Sequence, residues 1–320
     1  MKKYFSLEDF EIDGNINGSV VTIGMFDGVH LGHQKVIETC CHIANNQNQQ
    51  SVLITFSNHP SDYFYPNNPN RALLSIEDKI NQIEKTNLDI LIILPFDKQM
   101  ADLSAEEFVK SILLDKLNCK SLVFGYDNHF GKNREGSPKF IDTEFKNSIN
   151  SFIVNEKLIE DDVVSSSRVK FLLQEGNVKL ANEYLGYRYT INSTIVHGNA
   201  LGRTIGFPTA NYDTTKINKV IPANGVYLTY STLEISGRMI SKIGLTNIGI
   251  RPTVSNSFSV SIETYLLDFD LDIYDCTIIT EFIQRIRSEQ KFESITDLKN
   301  QIQIDKAYAL NYLTQIHITT

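Results

Sequence analysis

The chain is predicted to fold as two domains. An α/β, doubly wound, Rossmann-like domain spans residues 1–185, and a small antiparallel β-barrel with a C-terminal helix spans residues 186–320. Three observations predict this. Short apolar runs alternate with amphipathic stretches through the first half. Strand patterns then succeed one another without a helix of useful length until Ser294. The 320 residues also suit two domains of about 150 each.

In order, Val20–Gly24 reads as a buried strand and residues 31–44 as a helix with Val36, Ile37, Cys40, Cys41 and Ala44 on one face. Ser51–Phe56 is the next strand. Ser75 caps a helix to about Lys85, and Asp89–Leu94 is a third strand. Ser104-Ala-Glu-Glu107 is a capping box before an apolar face containing Phe108 and Ile112. Ser121–Gly125 and Phe152–Val154 follow as strands. Such runs imply a parallel sheet covered on both faces. From Tyr189 the pattern changes to strands at 189–197, 225–232, 239–245, 257–268 and 276–283. A capped helix then runs from Ser294 towards Leu313.

Composition narrows the function. Hydrophobic residues are 42%, charged residues 21% and the net charge is −8. That is an ordinary globular chain, too acidic for wrapping nucleic acid or coating anionic membranes. No uncharged apolar run approaches the ~20 residues that cross a bilayer. Glu8, Asp9 and Glu11 spoil a signal-peptide reading. Cys40, Cys41, Cys119 and Cys276 form no C-x-x-C pair, so free thiols in a reducing cytoplasm are expected, with no zinc site. Nothing in the sequence demands more than one copy of the chain.

Gly24-Met-Phe-Asp-Gly-Val-His-Leu-Gly-His33 joins the first strand to the first helix. Its glycines admit close approach of a ligand to backbone. His30 and His33 sit at a helix entrance, where N–H groups and the dipole favour anions. Imidazoles there can donate to phosphate oxygens and stabilise departing pyrophosphate. This stretch resembles the nucleotidylyltransferase signature of the prokaryotic bifunctional riboflavin kinase/FAD synthetases. Three further segments resemble that family in order: Phe56-Ser-Asn-His-Pro60, the flavin-side loop Gly125–Gly136, and Val164-Ser-Ser-Ser-Arg-Val-Lys170. The family pattern has proline at Asn58, threonine at Ser167 and arginine at Lys170. Taken alone, Ser165–Ser167 would read more readily as a helix cap. The resemblance implies nucleotide binding by Gly24, Phe26, Asp27, Gly28, Gly32, Ser165, Ser166, Ser167 and Lys170, and flavin binding by His59, Asp127 and Arg134.

Gly198-Asn-Ala-Leu-Gly-Arg-Thr-Ile-Gly-Phe-Pro-Thr-Ala-Asn211 is a second glycine-rich run. It carries neither a Walker nor a protein-kinase motif. Glycines that serve turns alone would explain it equally. A flap followed by a hydroxyl and an amide can also cradle phosphates and complete a magnesium shell, with Thr209 and Asn211 supplying oxygens. The run resembles the riboflavin kinase signature, as do Asn224–Tyr227, Thr246–Thr253 and Glu263–Tyr274, where Tyr265 replaces a common histidine. By spacing alone Glu263 is an outward-facing acid on a strand. The resemblance makes it the general base for the ribityl 5′-hydroxyl of riboflavin. It also implies nucleotide contacts from Gly198, Gly202, Arg203, Gly206 and Pro208, and flavin contacts from Asn224, Gly225, Arg251 and Arg287. The expected partners are ATP, Mg²⁺, riboflavin, FMN and FAD. The resemblance covers roughly residues 18–311. It implies phosphorylation of riboflavin to FMN in the second domain and adenylylation of FMN to FAD in the first.

Overall fold

A computed structural model describes residues 1–13, 16–65, 71–198, 201–252 and 258–319. The chain forms two compact units, Met1–Arg168 and Val169–Thr320.

The first unit is built on strands β1 (Lys2–Tyr4), β2 (Ser19–Ile23), β3 (Gln50–Phe56), β4 (Ile90–Leu94), β5 (Cys119–Gly125) and β6 (Asn150–Val154). They form one parallel sheet in the order β1-β4-β3-β2-β5-β6. Every residue of β2 and β4 is buried, which is why β4 reads as an unbroken apolar run and β2 as one interrupted only by Ser19 and Thr22. The helices are α1 (Leu7–Asp13), α2 (Leu31–Asn46), α3 (Pro60–Phe64), α4 (Ile76–Ile83), α5 (Lys98–Asp102), α6 (Ala105–Glu107) and α7 (Pro138–Glu144). A small antiparallel pair, β7 (Leu158–Ile159) and β8 (Asp162–Val163), precedes α8 (Ser166–Gln174). The order reverses at β2, since β3 lies on one side and β5 on the other. The crevice past the carboxyl ends of those strands is the place where such sheets bind ligands.

Local signals explain several boundaries. Ser75 Oγ accepts from Asp78 N–H at 3.1 Å and starts α4. Ser104 and Glu107 form both bonds of the capping box, but the helix they start widens at once into a π-helix over Phe108–Leu114. There Asp115 N–H reaches back five residues to the Lys110 carbonyl at 3.0 Å. The edge strand β1 and α1 carry no motif and were not anticipated.

In the second unit, β9 (Thr190–Val196), β10 (Thr209–Tyr212), β11 (Gly225–Ile235), β12 (Arg238–Pro252), β13 (Phe258–Leu266) and β14 (Thr277–Arg287) close an antiparallel barrel. The short β10 lies inside the second glycine-rich run, where no strand was expected. The units divide at 168/169, earlier than the boundary expected at 185/186. Residues 169–185 pack with the barrel because α9 (Val178–Leu185) is bonded to it. Asn182 Nδ2 donates to the Phe282 carbonyl at 2.8 Å, and Asn182 Oδ1 accepts from Tyr189 N–H at 2.7 Å. After the short α10 (Leu201–Thr204), the long α11 (Ile295–Thr319) contributes Ala309, with Tyr312 packed beside it, to a core cluster that also holds Leu228 and Leu245.

A chain of buried hydroxyls threads the barrel strands. Thr229 contacts Thr246 at 2.8 Å, Thr246 contacts Thr264 at 2.8 Å, and Tyr212 joins Thr264 at 2.9 Å. Tyr212 also meets Thr280, which contacts Ser231 at 2.9 Å. Each hydroxyl is both donor and acceptor, so the row satisfies itself without charge. The cysteines are free, and burial raises the Cys40, Cys41 and Cys119 thiols, Cys119 to about 12. No helix among the described residues is long and apolar enough to cross a membrane.

Replacing Tyr212 by phenylalanine removes one hydroxyl, takes a partner from each of Thr264 and Thr280, and cuts the row in two. The barrel is expected to lose about 1–3 kcal/mol. Native-state hydrogen exchange of barrel amides measures this, and unchanged protection would contradict the network's role.

Candidate active sites

The first cleft opens at the sheet's reversal point and has a volume of ≈ 630 Å³. Gly24 N–H makes a last ladder bond to the Ile54 carbonyl at 3.1 Å, and the chain then turns sharply. Phe26 (φ +47°), Gly28 (φ +85°) and Val29 (φ +37°) all occupy left-handed backbone. Two bonds hold this strained turn. Asp27 Oδ1 accepts from Leu73 N–H at 2.8 Å, and Ser166 Oγ donates to the Asp27 carbonyl at 2.8 Å.

His30 is the N-cap of α2, and its Nδ1 accepts from His33 N–H at 3.4 Å. The two imidazoles stack with centroids 3.6 Å apart. A side chain at Gly32 would come within 3.1 Å of the His30 ring, so the glycine between the histidines makes room for the stack. His30 is buried beneath, while His33 lines the cleft. Burial lowers the His30 pKa to about 4 against the opposing pull of Asp27. Burial, His30 and Lys79 together hold His33 well below the ordinary imidazole value. Both rings are therefore neutral at physiological pH, each with one N–H donor.

Gly24, Phe26, Asp27, His33, His59, Asp127, Arg134 and Ser166 all line this cleft. Gly28, Gly32, Ser165, Ser167 and Lys170 do not. Ser165 caps α8 by accepting from Arg168 N–H at 3.3 Å, the plainer of its two roles. His59 caps α3, its Nδ1 accepting from Ser61 N–H at 3.1 Å. Asn58, where the family has proline, fixes the same loop differently. Its amide donates to the Phe96 carbonyl at 2.9 Å and accepts from Phe96 N–H at 2.8 Å. Phe56, Phe64, Phe96 and Phe130 add an apolar wall that the sequence did not single out.

The second cleft, ≈ 460 Å³, lies between barrel strands and α11, with Leu298 and Ile302 of the helix on one wall. Strand register places Asn211, Glu263 and Asn247 side by side across β10, β13 and β12. Thr209 Oγ1 donates to Glu263 Oε2 at 3.0 Å. Asn211 Nδ2 donates to the Thr209 carbonyl at 3.3 Å. Two glycines are required by close approach. A Cβ at Gly198 would fall 2.4 Å from the Asn211 amide, and one at Gly202 would fall 2.3 Å from the Phe207 carbonyl. Gly202, Thr209, Glu263 and Arg287 line the cleft; Gly198, Arg203, Gly206, Pro208 and Asn211 do not. Tyr265, the histidine replacement, packs edge-on against Phe207.

Arg287 is tied to α11. Its Nε and Nη2 donate to Asp305 Oδ2 at 3.0 and 2.8 Å, and Asp305 is 2% exposed. Gln301 Nε2 donates to the other carboxylate oxygen at 3.0 Å. Asn224 and Gly225 do not line the cleft. They seat Arg285, whose guanidinium donates to the Asn224 carbonyl. The side chain of Arg251 lies outside the described residues, as do Asn199 and Ala200 of the glycine-rich run. Asn247 and Asp305 line the cleft and were missed, since a single amide or carboxylate without a spacing rule gives no signal.

The low His30 pKa has a consequence for stability. Between pH 6.5 and 4 the unfolded chain binds a proton that the folded chain refuses, so stability falls as pH drops through that window. The loss attributable to His30 is about 3 kcal/mol. Thermal unfolding across that range is expected to show it, and His30→Gln to flatten the slope; an equally steep slope in the variant would contradict it.

Similarity to known proteins follows the same division. The FAD synthetase family model matches residues 13–168 and the riboflavin kinase model matches residues 185–313. The bifunctional riboflavin kinase/FMN adenylyltransferase of Bacillus subtilis (strain 168) is 37% identical over 93% of each chain. That of Haemophilus influenzae is 36% identical over 91% of this chain and 92% of its own. That of Escherichia coli (strain K12) is 33% identical over 92% and 93%. A crystal structure described as a macrolide-efflux protein from Streptococcus pneumoniae shares the architecture, with 29% identity, a TM-score of 0.84, and 97% and 98% of the two chains covered. With both halves matched in order and more than nine-tenths of the chain shared with its relatives, this chain belongs to the bifunctional riboflavin kinase/FMN adenylyltransferase family.

Proposed function

We propose that the barrel unit phosphorylates riboflavin with ATP, giving FMN and ADP, and that the parallel-sheet unit transfers AMP from ATP to FMN, giving FAD and pyrophosphate. The boundary between the two activities is assigned to 185/186. The observation that carries the reading is the Glu263 carboxylate, hydrogen-bonded by Thr209 within a cleft of ≈ 460 Å³. A carboxylate held there takes the proton of the ribityl 5′-hydroxyl as its oxygen attacks the γ-phosphorus. The bond to ADP then breaks. The apolar wall from α11 keeps water away from the attacking position.

The donor set beside Glu263 fits a magnesium ion. Thr209 spends its proton on Glu263, which leaves hydroxyl lone pairs, and Asn211 brings an amide oxygen. These residues would hold Mg²⁺, which supplies charge neutralisation on the β- and γ-phosphates when bound.

In the first cleft a phosphate oxygen of FMN attacks the α-phosphorus of ATP and pyrophosphate leaves. The N–H groups entering α2, with neutral His33 above and His30 stacked behind it, stabilise the growing negative charge. His59, Asp127 and Arg134 are assigned to the flavin side, and Ser166 to the nucleotide side. The buried thiols support a working place in the reducing cytoplasm, and no nucleic acid or membrane partner is assigned.

Two variants assign the halves. Glu263→Gln is expected to lower FMN formation ~10²–10⁴-fold while FAD is still made from supplied FMN. His30→Ala is expected to do the reverse. Chromatography of the flavins reads both, and loss of the same product in both variants would overturn the division.

A further inference from the structure

The first cleft rests on a buried cation that no recognised motif contains. Lys79 of α4 is 6% exposed. Its ammonium donates to the Met25 carbonyl at 2.8 Å, the Phe56 carbonyl at 3.2 Å and the Thr55 hydroxyl at 3.4 Å. Lysine is among the residues least often buried, because its charge loses hydration and must be repaid by polar contacts. Here the contacts have a definite place.

The parallel ladder of β2 and β3 stops at the pair Ile23 and Ile54. Past that pair the chains part. One becomes the turn that presents His30 and His33, and the other becomes the loop that presents His59. The Met25 and Phe56 carbonyls lie beyond the last β2–β3 pair, although Phe56 is still registered with Leu94 of β4, and the Lys79 ammonium supplies both with a donor. Thr55 Oγ1 reinforces the junction by donating to the Met25 carbonyl at 3.1 Å. Met25 and Phe56 both line the cleft, whereas Lys79 does not. The charge is also felt at the site, since Lys79 helps hold the His33 imidazole neutral.

We infer that Lys79 is a positioning residue for adenylyl transfer: by bridging the diverging ends of β2 and β3 it fixes the turn at 24–30 and the His33 imidazole against the nucleotide phosphates. The inference rests on the adenylyl-transfer reading above. Burial lowers the Lys79 pKa to about 8, opposed by the Asp27 carboxylate. The ionisable groups that face it are Asp27 and His33. The end of β3 contributes only the Thr55 hydroxyl and the Phe56 carbonyl, and Glu77 and Asp78 stand on α4 itself. Below pH 8 the ammonium has three donors and a charge. Above it the charge and one donor are lost, so FAD synthesis should fall there relative to FMN synthesis.

The test uses the full chain with Lys79→Met and Lys79→Arg, assayed for FAD from supplied FMN and ATP, with riboflavin phosphorylation by the same sample as internal control. Lys79→Met is expected to lower kcat for FAD ~100-fold, the scale of a misplaced reacting group, with KM for FMN and ATP and the kinase rate little changed. Lys79→Arg, whose cation does not titrate in this range, is expected to recover part of kcat and to move the alkaline limb above pH 8. Near-normal kcat in Lys79→Met would overturn the inference. So would loss of kcat together with FMN binding, or an alkaline limb in Lys79→Arg that stays where the wild type has it. A wild-type chain that makes no FAD from FMN would instead overturn the adenylyl-transfer reading on which the inference rests.

Discussion

A parallel sheet must end, and each backbone group beyond its last ladder bond needs another partner. The first cleft is what forms when β2, β3 and β5 end beside one another and their continuations diverge. Gly24 N–H still reaches the Ile54 carbonyl. The next acceptors are met by side chains: Met25 and Phe56 by Lys79, Phe96 by Asn58, and Ile23 by Asn128. These bonds hold open the gap between loops that carry the chemistry. The same geometry accompanies the left-handed turn at Phe26–Val29, which brings His33 at the start of α2 to the wall of the gap.

The barrel meets a different constraint. Its interior holds the hydroxyl row of Thr229, Thr246, Thr264, Tyr212, Thr280 and Ser231, all closely packed. The cleft therefore forms on the other side of the strands, where α11 lies against them. Alternation along β13 divides the roles: Thr264 joins the hydroxyl row and its neighbour Glu263 faces the cleft. The Arg287–Asp305 pair ties the last barrel strand to α11 and forms part of the cleft wall. Removing either partner would leave the other charge nearly buried and alone.

Much of this was legible in the sequence because periodicity and capping are local. The apolar runs of β2 and β4, the Ser75 and Ser104 caps and the strand succession after residue 186 all left marks. The histidine pair was legible because its glycine spacing is rare. What remained hidden is non-local. Lys79 resembles any lysine on a helix, and only the fold shows it beneath two strand ends. Asp305 is one acid on a long helix until Arg287 is seen opposite. Asn58 departs from the family's proline, yet its two bonds to Phe96 fix the loop by another route. The edge strand β1 is three residues long, too short for any pattern to emerge.

The central claim is that one chain carries two successive transfers at two separate clefts. The most direct test is a time course of the purified chain with riboflavin, ATP and Mg²⁺, resolving the flavins by chromatography. FMN should appear first and FAD after it, at the expense of FMN. A folded sample that binds flavin yet forms neither product would contradict the account.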